Sequence, residues 1–414
     1  MNRLQETYQQ FSPKFWILVG SSFIDRLGGT MVFPFFSLYI TSKFNVGMTE
    51  AGILLGTFSL SGFIGSLLGG ALADRFGRKV MVLFGLVFSA VTSIAFGLID
   101  SYYVFYGLAV FVGFLSDIAG PAHQAMVADL VPETKRSEAF GIMRVINNLS
   151  WIIGPTIGGI LAQYSYLLLF VIDAITSIIV AVIVFKNIPE TKPEATPGQE
   201  EESVIKSLSG YGIVFKDYLF MAFVVAGVFM IFGYGQIYNT LSVFLRDVHG
   251  VTERGYGFLM SANAGLVVLT QLWVTKQIRS RPPMLFMAFG AAFYMVGLAM
   301  YGFVASYALF MVAMMFITIG EMIVMPLSQT LAAQFAPTHM RGRYMAIFGI
   351  TWVLPQVVGP GLAGMILDGP SPTMLWVVCG ISCGVAILAY LTLHARAGEK
   401  FKSIEMADME STPA

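Results

Sequence analysis

The sequence contains few charged residues and almost no cysteine. Only 12% of its 414 residues are Asp, Glu, Lys or Arg, roughly half of the ~25% typical of a soluble domain. By contrast, 56% of the residues are hydrophobic, and the formal net charge is zero. The chain therefore has no excess of basic residues, and its composition gives no indication of nucleic-acid binding. A chain of this composition is expected to be surrounded by lipid rather than by water.

The two cysteines, Cys379 and Cys383, are four residues apart in one hydrophobic stretch. This spacing places both thiols on one face of a helix, but the further ligands of a zinc site are missing, and no disulfide framework can form. We predict a structural role for both. The four histidines are scattered, and the phosphate-binding sequence G-x4-G-K-[ST] does not occur. The sequence therefore predicts no metal, no cofactor and no enzyme activity.

Hydrophobic stretches that are long enough to cross a bilayer recur along nearly the whole chain. A helix needs about 20 residues to span the hydrocarbon, and a helix satisfies its own backbone hydrogen bonds in lipid. The first stretch contains Asp25 and Arg26 and is too long for a cleaved signal peptide. The predicted transmembrane helices, twelve in all, lie near 15–41, 48–73, 79–99, 102–131, 137–163, 166–186, 217–245, 254–276, 283–304, 306–335, 341–367 and 372–395.

A hydrophilic segment divides these helices into two groups of six. It contains Pro189, Pro193, Pro197 and an acidic run at 200–202, which is the composition of a linker. The sequence therefore predicts an all-α membrane protein with twelve transmembrane helices in two six-helix pseudo-repeats. The predicted divisions are an N-terminal six-helix bundle (1–186), a cytoplasmic linker (187–216), a C-terminal six-helix bundle (217–396) and a cytoplasmic tail (397–414).

The distribution of Lys and Arg predicts the orientation. With the N-terminus inside, nineteen of the 24 Lys and Arg residues fall on the cytoplasmic side and three outside, while Arg26 and Arg144 lie within helices. Positively charged loops stay in the cytoplasm. We therefore predict a multi-pass protein of the cell (inner) membrane with both termini cytoplasmic.

The two halves resemble each other when one is shifted by 205 residues. Without a gap, Pro121 falls on Pro326, and the Gly-Pro pair at 154–155 falls on the pair at 359–360. Parallel repeats of this kind are related by an axis along the membrane normal and place a substrate site at their interface. The pattern predicts a central cavity and alternating access by rocking of one half against the other.

A charged, glycine-containing turn joins the second and third predicted helices. Its three cations hold the loop in the cytoplasm, its glycines allow backbones to approach closely, and its carboxylate can accept hydrogen bonds from a helix start. An ordinary basic loop of a membrane protein is the other interpretation. The residues concerned are Gly70, Asp74, Arg75, Gly77, Arg78 and Lys79.

The order G-x-L-A-D-R-x-G-R-K in this turn resembles the signature loop of the major facilitator superfamily. The loop before the fifth helix, with Asp129 and Arg136, is similar to the second basic cytoplasmic loop of that family. This resemblance implies an inner gate in which these charges meet those of the first loop, whereas a solvated loop is the alternative.

The fifth helix carries the order N-x5-G-P-x2-G-G, which resembles a motif of the drug:proton antiporter branch of this superfamily. Proline kinks a helix and glycines permit close contact, so an ordinary kinked, close-packed helix is the other interpretation. The fourth helix departs from the family pattern because it lacks the family's arginine at 108–113, and no coupling role is transferred there. The motif residues are Gly154, Pro155, Gly158 and Gly159.

Three carboxyl groups fall near the middle of predicted helices: those of Asp25, Asp117 and Glu321. Charges within a membrane are costly and indicate function. A buried carboxyl that titrates near neutral pH can load and release a proton as a cavity opens to each side. We predict that these three residues couple transport to protons. No arginine is expected near Glu321, which favours a titratable group there.

Permanent ion pairs are the alternative to proton coupling. Arg144 is the expected partner of Asp25 or Asp117, and Arg26 is the candidate partner of Asp173, which lies closer to the outer end of its helix. These residues then line the cavity or hold its walls together.

Amide and phenol side chains on the seventh and eighth helices suit a cavity for amphipathic molecules. The chain also contains 24 Met and 35 Phe, and Met adapts to varied shapes, although packing and lipid contact also account for them. The predicted substrate-binding residues are Gln124, Tyr234, Gln236, Tyr238, Asn239, Asn263 and Gln271.

The resemblance implies a monomeric secondary transporter that exports amphipathic or cationic compounds in exchange for protons. Its partners are a small-molecule substrate, protons and the lipid bilayer, and its energy source is the proton gradient. A proton-linked transporter of a specific metabolite, lipid or organic anion is the alternative, since Arg144 suits an anion. A membrane receptor without transport activity is the alternative from another class.

Overall fold

The computed structural model describes residues 8–116, 118–191, 211–337 and 340–397. Asp117, most of the predicted linker and nearly all of the predicted tail lie outside these ranges. The side chains of residues 67–71, 73, 74, 137 and 397 are also outside the description, so the predicted roles of Gly70 and Asp74 stay predictions.

Eleven helices in the described ranges are long and apolar enough to cross a membrane. The first predicted helix is less apolar than these eleven, because Asp25 and Arg26 interrupt its apolar sequence. It is nevertheless helical from Pro13 to Phe44, with a 3₁₀ turn at Phe33–Phe35. With this segment, the described residues contain the twelve helices that the sequence predicts.

The helices α1 to α12 follow the predicted ones in chain order. In the first half they are α1 (Pro13–Val32, continued by Phe36–Phe44), α2 (Met48–Phe76), α3 (Arg78–Leu98), α4 (Tyr102–Ser116 and Ala119–Asp129), α5 (Arg136–Tyr164) and α6 (Tyr166–Asn187). In the second half they are α7 (Tyr218–Asn239 and Leu241–His249), α8 (Glu253–Ile278), α9 (Pro283–Tyr301), α10 (Tyr307–Phe335), α11 (Arg341–Phe348 and Ile350–Leu367) and α12 (Met374–Ala397).

The chain divides into two compact units. The first unit contains the described residues of Met1–Ala195 together with Gly250–Ala264, and the second contains those of Thr196–His249 and Gly265–Ala414. The first half of α8 therefore belongs to the first unit and the rest of α8 to the second. The boundaries expected from chain order stay a prediction.

In the first unit, α1 packs against α5 and α6, α3 packs against α6, and α2 packs against α4. The start of α1 is set by Ser12, whose Oγ accepts a hydrogen bond of 3.3 Å from the backbone N–H of Phe15, and by Pro13 in the first turn. Phe15 and Leu18 continue into a hydrophobic core with Met126 of α4. This core holds α1 in register beside the other helices.

In the second unit, α9 packs against α10 and α12, and α7 packs against α11 and α12. The carboxylate of Asp217 begins α7, since it accepts a hydrogen bond of 3.1 Å from the N–H of Phe220 and another of 3.0 Å from the hydroxyl of Tyr344 at the start of α11. Cys379 and Cys383 are free thiols buried on α12.

Candidate functional site

The glycine motif of α5 presents two adjacent faces. A Cβ atom at Gly154 would overlap Thr30, and one at Gly158 would overlap the carbonyl of Met31, so these glycines lie against α1. Residues four apart share a helix face, so Gly154 and Gly158 form one face, and Pro155 and Gly159 form the second.

This second face lies against the first half of α8. A Cβ atom at Gly159 would come within 2.6 Å of the carbonyl oxygen of Glu253, and one at Gly257 would overlap the carbonyl of Pro155. Two hydrogen bonds flank this crossing: Thr156 Oγ1 donates to Ser261 Oγ at 2.7 Å, and Tyr166 donates to Glu253 at 2.9 Å. The motif therefore brings three helices into backbone contact.

The predicted ion pairs of the first unit are not formed among the described residues. Asp25 is half-buried on α1, whereas Arg26 and Arg144 are exposed, and none of the three pairs with an opposite charge there. Asp173, the expected partner of Arg26, instead accepts a hydrogen bond of 2.5 Å from the hydroxyl of Ser93 on α3. The distribution of charges along the helices could not reveal this neutral partner.

His123 of α4 contacts the face of α1 that carries Asp25. Its Nε2 lies 2.9 Å from Ser22 Oγ, which also donates to the carbonyl of Leu18 at 2.8 Å. A serine hydroxyl has one proton, so both contacts are hydrogen bonds only if Nε2–H donates to Ser22. Its neighbour Gln124, a predicted substrate-binding residue, is exposed.

The predicted cytoplasmic gate contains an ion pair between Arg78, at the start of α3, and Asp129, at the end of α4. The ion pair joins the two loops that resemble the family pattern, as the resemblance implies for Asp129. Arg136 was also expected to meet the first loop, but it pairs with Glu133 at 3.1 Å and donates to the carbonyl of Ala128 at 3.2 Å. Arg75 is exposed beside the ring of Phe76.

Glu190 is a contact of the signature loop that sequence reasoning missed. Its carboxylate accepts hydrogen bonds from the backbone N–H groups of Arg78 at 2.8 Å and Lys79 at 3.2 Å. Gly77, the residue before α3, has φ +101° and no side chain to cap the helix, so Glu190 supplies the missing cap. The ammonium of Lys79 donates to the carbonyl of Phe185 at 2.8 Å. Arg78 and Glu190 are separated by 112 positions in the sequence, so no local sequence signal connects them.

A second polar cluster lies in the second unit around Glu321 of α10. Tyr234 of α7 donates to Glu321 Oε1 at 3.2 Å, and the hydroxyls of Tyr234 and Tyr238 are 3.1 Å apart. The rings of Trp352 and Tyr294 stand edge-to-face to Tyr234, with centroids 6.0 and 5.9 Å away. We call these five residues the Glu321 cluster. It combines a half-buried carboxyl group with four aromatic rings.

The other predicted substrate-binding residues of α7 and α8 are not part of the Glu321 cluster. Asn239 donates to Gln356 of α11 at 3.2 Å, and Gln271 donates to the carbonyl of Met322 at 3.1 Å. Gln236 is fully buried and donates to a carbonyl of its own helix. Asn263 is buried in the half of α8 that belongs to the first unit.

Trp352 and Gln356 were missed by sequence reasoning. They are four residues apart on α11, so that a search for an aromatic and an amide residue on one helix face would have found them.

The model of the family described as Major Facilitator Superfamily matches residues 18–360. The chain therefore belongs to the major facilitator superfamily: it is a multi-pass membrane protein and a secondary transporter rather than an enzyme. The predicted all-α fold is confirmed.

Two relatives of the chain have names that state an activity. The chain is 29% identical, over 371 residues, to the Na(+), Li(+), K(+)/H(+) antiporter of Planococcus maritimus, with 83% of this chain and 87% of the relative covered. It is 22% identical, over 390 residues, to the Quinolone resistance protein NorA of Staphylococcus aureus, with 93% and 98% covered.

Among solved structures, the chain is similar to the crystal structure of a POT family transporter in complex with 5-aminolevulinic acid. The TM-score is 0.76 at 17% identity, and the similarity covers 94% of this chain and 96% of the other. At this identity the similarity concerns the fold alone.

Proposed function

We propose that the protein exports amphipathic organic cations in exchange for protons, as members of the drug:proton antiporter branch do. The observation that carries this proposal is the Glu321 cluster. A carboxylate attracts a cation, and an aromatic face adds a cation–π attraction of about 0.5–2 kcal/mol. Flat apolar rings around a single carboxylate suit a cation that is large and greasy rather than small and hydrated.

The first unit supplies the proton side of the proposal. Asp25 is a half-buried carboxyl within α1 and forms no ion pair among the described residues. A carboxyl group in such a setting can bind and release a proton during the cycle. Asp117 lies outside the described residues and stays a candidate for the same role.

The remaining parts of the proposal follow from the charge pattern and the family. The protein acts as a monomer in a bacterial inner membrane, with both termini in the cytoplasm and the proton gradient as its energy source. The names of two relatives, an antiporter and a quinolone resistance protein, support exchange and drug export.

The test uses proteoliposomes that hold a pH gradient and contain a pH-sensitive dye. We expect tetraphenylphosphonium to dissipate the gradient with the wild type and to have little effect with Glu321→Gln. Asp100→Asn makes the same type of change at a carboxyl that is 92% exposed, and it should behave as the wild type. Unchanged dissipation by Glu321→Gln would contradict the assignment of the Glu321 cluster.

Two other substrates are examined in the same vesicles. Exchange of Na⁺, Li⁺ or K⁺ for protons is a second candidate, which the Planococcus relative favours. Transport of an organic anion is a third, which the exposed guanidinium of Arg144 within α5 favours. Dissipation of the gradient by alkali cations alone, or by amphipathic anions alone, would select one of these over the organic cation.

A further inference from the structure

Asp173 is a buried carboxyl group in the first unit that has no role in the antiport cycle proposed above. It lies eight residues into the 22-residue helix α6, and its relative exposure is 7%. Sequence reasoning assigned it to an ion pair with Arg26. Its contacts among the described residues are instead those of a carboxyl group without a counter-charge.

The carboxyl group of Asp173 receives one hydrogen bond from the described residues, the bond of 2.5 Å from Ser93. Thr176 is close by, but its hydroxyl donates to the backbone carbonyl of Asp173 at 2.8 Å. No described cation pairs with the carboxyl. A buried carboxylate ion needs a counter-charge or several donors to offset its lost hydration. The neutral acid, which needs neither, is the form that these contacts suit.

Helix α1 touches the carboxyl group directly. A Cβ atom at Gly28 would come within 2.6 Å of Asp173 Oδ1 and would overlap the hydroxyl of Thr176. Gly28 follows Asp25 by three residues, so the two lie on the same face of α1. Any displacement of α1 along α6 therefore changes the surroundings of Asp173, and it moves Asp25 by the same step.

The charged residues of the neighbouring helices form no ion pair with Asp173 within the described ranges. Helices α1, α3 and α5 pack against α6, and in these ranges the charges on α3 lie in its first turn. The charged groups on these helices are Lys14, Asp25, Arg26 and Lys43 on α1, Arg78 and Lys79 on α3, and Arg136, Glu138 and Arg144 on α5.

We propose that Asp173 is a second proton-binding residue of the antiport cycle, acting beside Asp25. Its carboxylate takes up one proton from the water on one side of the membrane and forms an O–H bond. When α1 moves, water reaches the site from the other side of the membrane. The O–H bond then breaks, and the proton passes to this water while the carboxylate is restored. The inference rests on the proton coupling proposed above, but part of its test is independent of transport.

The first measurement counts the protons released when tetraphenylphosphonium binds to the purified protein in weakly buffered detergent solution. Asp173→Asn keeps the shape of the side chain and an oxygen that can accept from Ser93, but it cannot ionise. Because proton release and ligand binding are linked, we expect this variant, which is fixed in the neutral form, to bind tetraphenylphosphonium more weakly than the wild type and to release fewer protons per ligand. Asp100→Asn is the matched control and should release as many protons as the wild type.

A purely structural role for Asp173 predicts a different result. The amide would then preserve the contact with Ser93, and proton release would equal that of the wild type, which would overturn the inference.

The second measurement needs no substrate. Infrared spectra of the triple variant Asp25→Asn, Asp117→Asn, Glu321→Gln should retain the C=O band of a buried carboxylic acid, and further substitution of Asp173→Asn should remove it. A triple variant without such a band would overturn the inference, even if Asp173→Asn proved too unstable for binding studies.

The two proposals can fail separately. A wild type that moves no protons with organic cations would refute organic-cation antiport, while the infrared band would still report on Asp173. Wild-type antiport with unchanged proton release from Asp173→Asn would refute only the role of Asp173.

Discussion

At the scale of single residues, the hydroxyls of Tyr234 and Tyr294 differ in their hydrogen bonding within the Glu321 cluster. The hydroxyl of Tyr234 donates to Glu321, whereas that of Tyr294 is buried without a hydrogen-bond partner among the described residues. Their rings are neighbours, with centroids 5.9 Å apart. Removal of one oxygen atom from each ring therefore separates the effect of the hydrogen bond from that of ring packing.

We predict that Tyr234→Phe weakens the binding of tetraphenylphosphonium about fivefold, because a hydrogen bond that orients the carboxylate is worth about 1 kcal/mol. Tyr294→Phe should leave the affinity unchanged, since it breaks no hydrogen bond to a described residue. Calorimetric titration in detergent measures both affinities. Equal losses in the two variants would mean that the hydroxyl of Tyr234 does not position Glu321.

Individual partners were the least predictable part of the site. The resemblance implied that Asp129 meets the signature loop, and its ion pair with Arg78 agrees with this. It did not indicate that Arg136 would pair with Glu133 instead of the signature loop, since such choices depend on how the helix ends approach each other. The cap provided by Glu190 was missed for the same reason.

At the scale of helices, the crossing of α5 and α8 depends on a glycine in each helix. The pattern of α5 predicts a close approach but does not reveal the other partner. Gly257 is that partner, because its missing side chain leaves room for the carbonyl of Pro155. Gly265 lies two turns further along α8, and a Cβ atom added there would meet no described atom within 4 Å.

We predict that Gly257→Ala destabilises the protein by about 1–3 kcal/mol, because the added methyl group meets backbone atoms that cannot rotate away. Gly265→Ala makes the same change in open space and should be neutral or slightly stabilising, given the higher helix propensity of alanine. Thermal unfolding in detergent compares the two variants. A Gly257→Ala protein as stable as Gly265→Ala would show that the crossing is loose enough to accept a side chain.

The positions of the helices were predictable because the thickness of the bilayer sets their length and hydropathy marks their ends. The short interruptions within the helices could not be predicted in this way. Pro34 lies in the 3₁₀ turn that divides α1, and α11 is divided at Gly349. A short interruption leaves the hydrophobic run intact, so hydropathy cannot detect it.

At the scale of the whole molecule, the charge asymmetry predicts the membrane orientation. Because Cys379 and Cys383 are buried, single cysteines introduced at exposed positions can report the orientation with little background. Ser101 precedes α4 and Glu133 precedes α5, and both are exposed.

We predict that Ser101→Cys reacts with a membrane-impermeant maleimide in intact cells, because it lies outside if the basic loops are cytoplasmic. Glu133→Cys should react only after the membrane is permeabilised. The wild-type protein, with its two buried thiols, is the control for background labelling. The opposite pattern would place both termini outside and invalidate the proposed direction of transport.

The assignment of 250–264 to the first unit could not be predicted from sequence. Chain order places these residues in the second half, and their composition is that of any membrane helix. The assignment is revealed by contacts in the folded chain, such as those of Glu253, Gly257 and Ser261 with α5 and α6. Sequence therefore predicted the family, the number of helices and the motifs, whereas the grouping of helices depended on packing.

The shift of 205 residues also relates the starts of α1 and α7. Ser12 falls on Asp217, and each caps its helix by accepting from the N–H group three residues on. The candidate carboxyls do not correspond in this way, since Asp25 falls on Met230 and Glu321 falls on Ser116. If an ancestral gene was duplicated, the helix starts are a shared inheritance, while each carboxyl was gained by one copy or lost from the other. In that case the two halves kept a common framework for starting their helices, and the proposed roles of Asp25 and Glu321 would divide the chemistry between them.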